Sequence, residues 1–189
     1  MSILKVARMG HPVLRARARP VERTEFKAPA FQKFIDDLIE TMTEYHGAGL
    51  AAPQVHEGVR VFVATIDDPP ANSRDDSSDS PSDDKEAPEP APIAIVNPEI
   101  TVVGSDVVED WEGCLSIPDI RGRVVRAREI KIRAFDRHGG RLDLNVQGFP
   151  ARVIQHETDH LDGILFLDRM KSFETLTFLD EYSRYWLKD

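Results

Sequence analysis

The chain has 189 residues, of which 41% are hydrophobic and 30% charged, and a formal net charge of -9. That is room for one ordinary globular core, and no apolar run is long enough to cross a bilayer. Nine acidic and two basic side chains between positions 67 and 89 supply seven of the nine net negative charges, so the remainder is nearly neutral and carries no basic patch that would argue for direct nucleic-acid or membrane-surface binding.

The opening stretch MSILKVARMGHPVLRARARPV mixes apolar and basic residues without a continuous apolar segment and a small-residue cleavage site. The expected compartment is therefore the cytoplasm. The single cysteine, Cys114, cannot close an internal disulfide, so its thiol is either a buried small hydrophobe or a reactive group. Phe31, Phe34, Ile35, Leu38, Ile39, Met42 and Tyr45 recur at helical spacing. They predict an amphipathic helix that stops near His46-Gly47, where glycine can take the left-handed conformation. Gly49 to Gln54 looks too small and too interrupted by glycine and proline for a core element, whereas Val59 to Ile66 reads as a strand.

Residues 67–92 are rich in Pro, Ser and Asp and almost free of large apolar side chains. They cannot bury enough surface to offset the entropy of ordering, and a flexible, solvated insertion between two strands is predicted. IAIVNPEITVVG resumes a strand pattern. RVVRAREIKIRAFD and GRLDLNVQG alternate as strands do and are joined by the hairpin signal His138-Gly139-Gly140. Pro150 stands where a further helix would begin and Gly163 where it would end. Phe173, Leu176, Leu179 and Tyr182 predict a last helix over about 172–187. These elements make an α+β fold, with mixed or antiparallel strands around a central helix and an N-terminal amphipathic helix, and all of 1–189 is expected to form a single domain.

The central helix carries His156-Glu157-Thr158-Asp159-His160. Histidines four apart have Cβ atoms about 6 Å apart on one face, so both imidazoles can reach one ion, while Glu157 lies beside them as a base rather than a ligand. Such a match can arise by chance on any charged helix. The proline start, the glycine stop and the apolar Val153, Ile154, Leu161 and Ile164 favour a site held by a packed scaffold. Two histidines leave a catalytic site one ligand short. A downstream Glu174 or Glu181 would make a small zinc peptidase. Cys114, a softer ligand, would suit iron, zinc, cobalt or nickel.

Glu112-Gly113-Cys114-Leu115-Ser116, Gly47-Ala48-Gly49-Leu50-Ala51-Ala52-Pro53-Gln54 and Gln155-His156-Glu157-Thr158-Asp159-His160 closely resemble the three signature motifs of the peptide deformylases. The likeness extends to the N-terminal ILKVARMGHPVLRARARPV and to RGRVVR. It implies Cys114, His156 and His160 as ligands of one divalent metal, Fe2+ first, with Zn2+, Ni2+ or Co2+ able to occupy the site. It implies hydrolysis of the N-formyl group of formylmethionyl peptides or nascent chains, with release of formate. Glu157 would be the acid and base, and the Gln54 amide and Leu115 N–H the donors to the developing oxyanion. Gly49 and Gly113 would let a peptide approach the backbone, Ala48, Phe149 and Val153 would receive the methionine side chain, and Arg121 would meet the peptide at the cleft mouth. Arg152 stands at the pocket's outer wall, where some members carry an apolar residue. Glu112 and Arg126 would orient the ligands. The C-terminal helix would pack on the body or dock on the ribosome, and its acidic content favours the first. A non-catalytic binder of N-termini is the remaining alternative, although no catalytic residue is missing.

Overall fold

The computed structural model of the chain describes residues 2–66 and 91–187. Most of the predicted acidic insertion at 67–92 therefore lies outside the described residues. Helix α1 spans Pro29–Glu44, with proline in its first turn. A short strand β1, Gly49–Ala51, follows, then a 3-10 turn over Ala52–Val55 and strand β2, Val61–Ala64. Strands β3 (Ile93–Val102), β4 (Val107–Cys114), β5 (Ile117–Ala127), β6 (Glu129–Phe135) and β7 (Arg141–Gln147) lead into helix α2, Gly148–Leu161. The described chain closes with β8, Thr177–Phe178, and helix α3, Leu179–Tyr185.

The strands form two antiparallel sheets, one in the order β1-β2-β3-β6-β7 and one in the order β4-β5-β8. All four residues of β2 are buried. Phe62 and Ala64 pack with Ile130, Leu144 and Ile154 on the side of α2, while Val61 and Val63 pack with Ile35, Leu38 and Met42 of α1. A strand covered on both faces has no reason to alternate, which is why its sequence reads as a continuous apolar run. β6 and β7 bury only their α2 side, and there the alternation is clean: Ile130, Ile132, Leu144 and Val146 face inward, Lys131 and Arg133 outward.

Three local expectations need correction. Residue His46, not the following glycine, takes the left-handed conformation after α1, at φ 52°, and the Gly47 N–H then caps the Met42 carbonyl at 2.9 Å. Gly49 to Ala51 is a core strand after all, with Leu50, Ala51 and Ala52 fully buried; small side chains suit it because helices press from both sides. The last helix is confined to Leu179–Tyr185, because Thr177 and Phe178 pair instead with Arg121 and Ile120 of β5. From there α3 lies on the body, where Trp111 packs against Tyr182 at 4.9 Å and Trp186 at 5.5 Å.

Candidate metal centre

β4 is an edge strand of the smaller sheet, and its residues Glu112 and Cys114, two apart, share the face turned to α2. On α2, His156 and His160 are four apart and also share a face. Two strand residues span about 6.6 Å and four helical residues about 6 Å, so the two pairs meet in register. Glu112 Oε2 accepts from His156 Nδ1 at 2.9 Å, and Cys114 Sγ lies 3.2 Å from His160 Nε2. Opposite this pair the neighbouring strand is irregular: Glu112 pairs with Gly122 and Cys114 with Ile117, so two steps along β4 oppose five along β5.

The ligand atoms of Cys114, His156 and His160 all lie within 4.8 Å of one another. The arrangement suits a metal in its donor chemistry as well as its spacing. Because His156 gives its Nδ1 proton to Glu112, its Nε2 is left to face the thiol. Burial alone pushes the Cys114 thiol up, yet His160 and His156 outweigh it and hold the group well below the ordinary thiol range. Burial likewise opposes a charge on His156, but Cys114 and Glu112 raise it well above the usual imidazole value. The protein thus favours the ionised sulfur, the form that ligates metals. Nδ1 of His160 is buried without a protein partner.

Glu157 is 4% exposed, and its Oε2 has no hydrogen-bond partner. Desolvation raises its pKa to about 7, against the pull of His156 and His160. An unpaired buried carboxylate is costly, and such a group beside a ligand cluster has the properties of an acid and base. Gln54 stands on the other side of Cys114. Its Oε1 accepts from Ala51 N at 2.8 Å, which turns Nε2 towards Cys114 Sγ at 3.5 Å and Ser116 Oγ at 3.4 Å.

A cleft of about 750 Å³ opens onto this cluster. Leu115, Ala48, Gly49, Gly113, Arg121, Phe149 and Val153 all border it, so the structure brings together the residues that the family resemblance singled out. Two details differ from expectation. A Cβ on Gly49 would lie 2.6 Å from Glu157 Oε1, and one on Gly113 would collide with the Arg121 guanidinium; the space these glycines leave is filled by the Glu157 carboxyl and by that guanidinium. Arg152 borders the cleft, but its guanidinium turns inward, donating to Glu112 Oε1 at 2.7 Å, Val108 O at 2.7 Å and Val124 O at 3.0 Å.

Sequence reasoning named Glu112 and Arg126 as orienting residues but missed Gln155, Asp159 and Arg169 and the contacts that join them. Gln155 exchanges hydrogen bonds with the Ala127 backbone, accepting at 3.1 Å and donating at 2.9 Å, as a strand neighbour would. Arg126 joins Glu112 to Asp159, and Arg169 closes on the other side of Asp159. Nothing in the sequence joins Asp159 and Arg169 to that pair, since these residues sit on four separate segments. The carboxylates proposed for a zinc peptidase are elsewhere: Glu174 contacts Ser172 and Glu181 contacts Arg184, and neither belongs to a ligand cluster among the described residues.

A buried thiolate with two imidazoles, an adjoining carboxyl and an open cleft define a metal-dependent hydrolase. The Polypeptide deformylase family matches residues 3–175. Peptide deformylase 2 of Nostoc sp. is 37% identical over 187 residues, covering 99% of this chain and 97% of that protein. Peptide deformylase of Salinibacter ruber is 42% identical over 172 residues, covering 90% and 82%. The Met-Ala-Ser-bound crystal structure of class I type b peptide deformylase from Acinetobacter baumannii superposes with a TM-score of 0.76 at 38% identity, covering 90% of this chain and all of that one. The chain belongs to the polypeptide deformylase family, metallohydrolases that remove the N-formyl group from new polypeptides.

Proposed function

We propose that this chain deformylates formylmethionyl peptides and nascent chains, with Cys114, His156 and His160 holding one divalent cation, Fe2+ by preference and Zn2+, Ni2+ or Co2+ as substitutes. The observation that supports this most is the convergence of the three donor atoms beside the unpaired carboxyl of Glu157. The cation supplies a Lewis acid that acidifies water and polarises the formyl carbonyl.

The chain's own residues do the rest. Glu157, buried beside the ligands with Oε2 unpartnered, takes the proton of the attacking water and returns it to the departing amine nitrogen as the carbon–nitrogen bond breaks. Formate and a free amine leave. Negative charge on the former formyl oxygen meets the Gln54 amide, held in orientation by Ala51 N, and the Leu115 N–H. Edge strands β1 and β4 border the cleft from two sides, which suits an extended peptide read through its main chain. Its methionine side chain would lie against Ala48, Phe149, Val153 and the His156 ring, and Arg121 would meet the peptide further out.

Among the described residues no helix is long and apolar enough to cross a membrane. Nascent chains are made in the cytoplasm, and that is the compartment we assign. Ribosome docking by the C-terminal helix remains the second reading, since α3 carries Asp180 and Glu181 in its first turn and already packs on Trp111.

The test is anaerobic formate release from formyl-Met-Ala-Ser by the iron- or nickel-loaded protein and by its Glu157→Ala variant. Turnover by the parent and a loss of about 10³-fold with metal retained are expected. Equal turnover would leave Glu157 without its role, and an inactive, metal-loaded parent would end the deformylase reading.

A further inference from the structure

The carboxylate of Glu112 stands behind the metal centre and is saturated. Arg126 takes both of its oxygens, donating from Nε to Oε1 at 2.9 Å and from Nη2 to Oε2 at 3.0 Å. His156 Nδ1 adds a bond to Oε2 at 2.9 Å, and Arg152 Nη1 one to Oε1 at 2.7 Å. These donors fill the lone-pair sites that a carboxylate offers. We propose that Arg152 is a positioning residue of the reaction: its charge, delivered onto Glu112, restrains that carboxylate's pull on His156 and keeps the bound cation electron-poor. The proposal rests on the deformylase reading and deepens it.

Orientation alone does not call for a second guanidinium. The two-point contact of Arg126 already fixes the position and the plane of the Glu112 carboxylate. Arg126 also divides its charge, since it donates to Asp159 as well. Arg152 has no other anionic partner among the described residues. Its remaining bonds go to the carbonyls of Val108 at 2.7 Å, Val124 at 3.0 Å and Asp110 at 3.5 Å. Its whole charge therefore falls on Glu112.

The setting makes that charge felt. Arg152 stands four residues before His156 on α2, on the same helix face. Glu112, Arg126, Arg152 and His156 are each no more than 7% exposed, so water screens little of the interaction. A carboxylate that accepts from two guanidiniums is a weaker acceptor towards a third donor. The imidazole is then less polarised, and its Nε2 gives less electron density to a cation. The consequence is a lower metal affinity together with a stronger Lewis acid, one that pulls harder on water and on the formyl oxygen.

The experiment is the Co2+ affinity of the full chain at pH 8, measured anaerobically against a chelator of known affinity, in the parent and in Arg152→Met, Arg152→Gln and Arg152→Lys. The neutral Met and Gln variants are expected to bind cobalt about tenfold more tightly, and the Lys variant, which keeps the charge but not the fork, within about threefold of the parent. A group that only docked α2 on β4 and β5 would act in the opposite direction and weaken the site in all three. Weaker or unchanged binding by the Met and Gln variants overturns the proposal, as does a Lys variant that binds as tightly as they do. Failure of both neutral variants to fold overturns it too, by making Arg152 a scaffold residue. In the fully loaded neutral variants kcat for formyl-Met-Ala-Ser should fall about threefold to tenfold with KM unchanged, and an undiminished kcat overturns the effect on the reaction. A parent that binds no cobalt, or that turns over no peptide when loaded, overturns the deformylase reading instead.

Discussion

At Glu157 the energetics of burial and the needs of chemistry pull in opposite directions. Its carboxyl is desolvated and lacks a partner for Oε2, so its pKa stands at about 7 rather than 4.5. In the metal-free protein the unfolded chain gives up this proton first as pH rises, so stability falls between about pH 4.5 and 7, and above that the full cost is present. A shift of that size corresponds to about 3 kcal/mol. Glu157→Gln stays neutral throughout. The metal-free variant should therefore exceed the metal-free parent in stability by up to about 3 kcal/mol at pH 8 and by less than about 1 kcal/mol at pH 5. Urea unfolding after chelation measures both, and a difference that is the same at the two pH values would contradict the placement of this group. The side chains proposed to ligate and react, which the structure gathers around one cleft, were legible in the sequence because each lies in a short contiguous motif. Arg152 was not, since residue type does not say that a guanidinium will fold inward onto Glu112 and two carbonyls.

At the scale of elements, the centre is a strand laid against a helix with matched repeats. The helical register of α2 follows from its histidines, its proline and its apolar positions, and sequence alone places it to within a few residues. The partner strand is harder to read. The fit of β4 onto α2 rests on the ion network of Arg126, which holds Glu112 of β4 and Asp159 of α2 at once. Glu112 is drawn well below the usual carboxylate range by His156 and Arg126, in spite of its burial. Removing the shared cation would leave two buried carboxylates short of a partner, which costs about 3–5 kcal/mol for a broken buried pair. Arg126→Met, close in length but neutral, is expected to lose that much in urea unfolding. A loss below about 1 kcal/mol would mean that Arg152, His156 and Arg169 suffice without it.

For the whole molecule, the larger sheet sits between α1 and α2 while the smaller sheet brings Cys114 to the open side of α2. Periodicity revealed both helices and the alternating strands, because each has one face to bury. It failed at β1, whose residues are buried between the preceding α1 and α2 from the far end of the chain, and at β8, whose two residues are strand only because β5 offers an edge. The one question on which all of this architecture bears is whether it delivers a thiolate and two imidazoles to a single ion. Anaerobic titration of the metal-free protein with Co2+, followed by absorption, addresses it most directly. One cobalt per chain with an intense sulfur-to-cobalt charge-transfer band, lost in Cys114→Ser, is the predicted result. Cobalt bound without that band, or a band that survives in Cys114→Ser, would contradict the account.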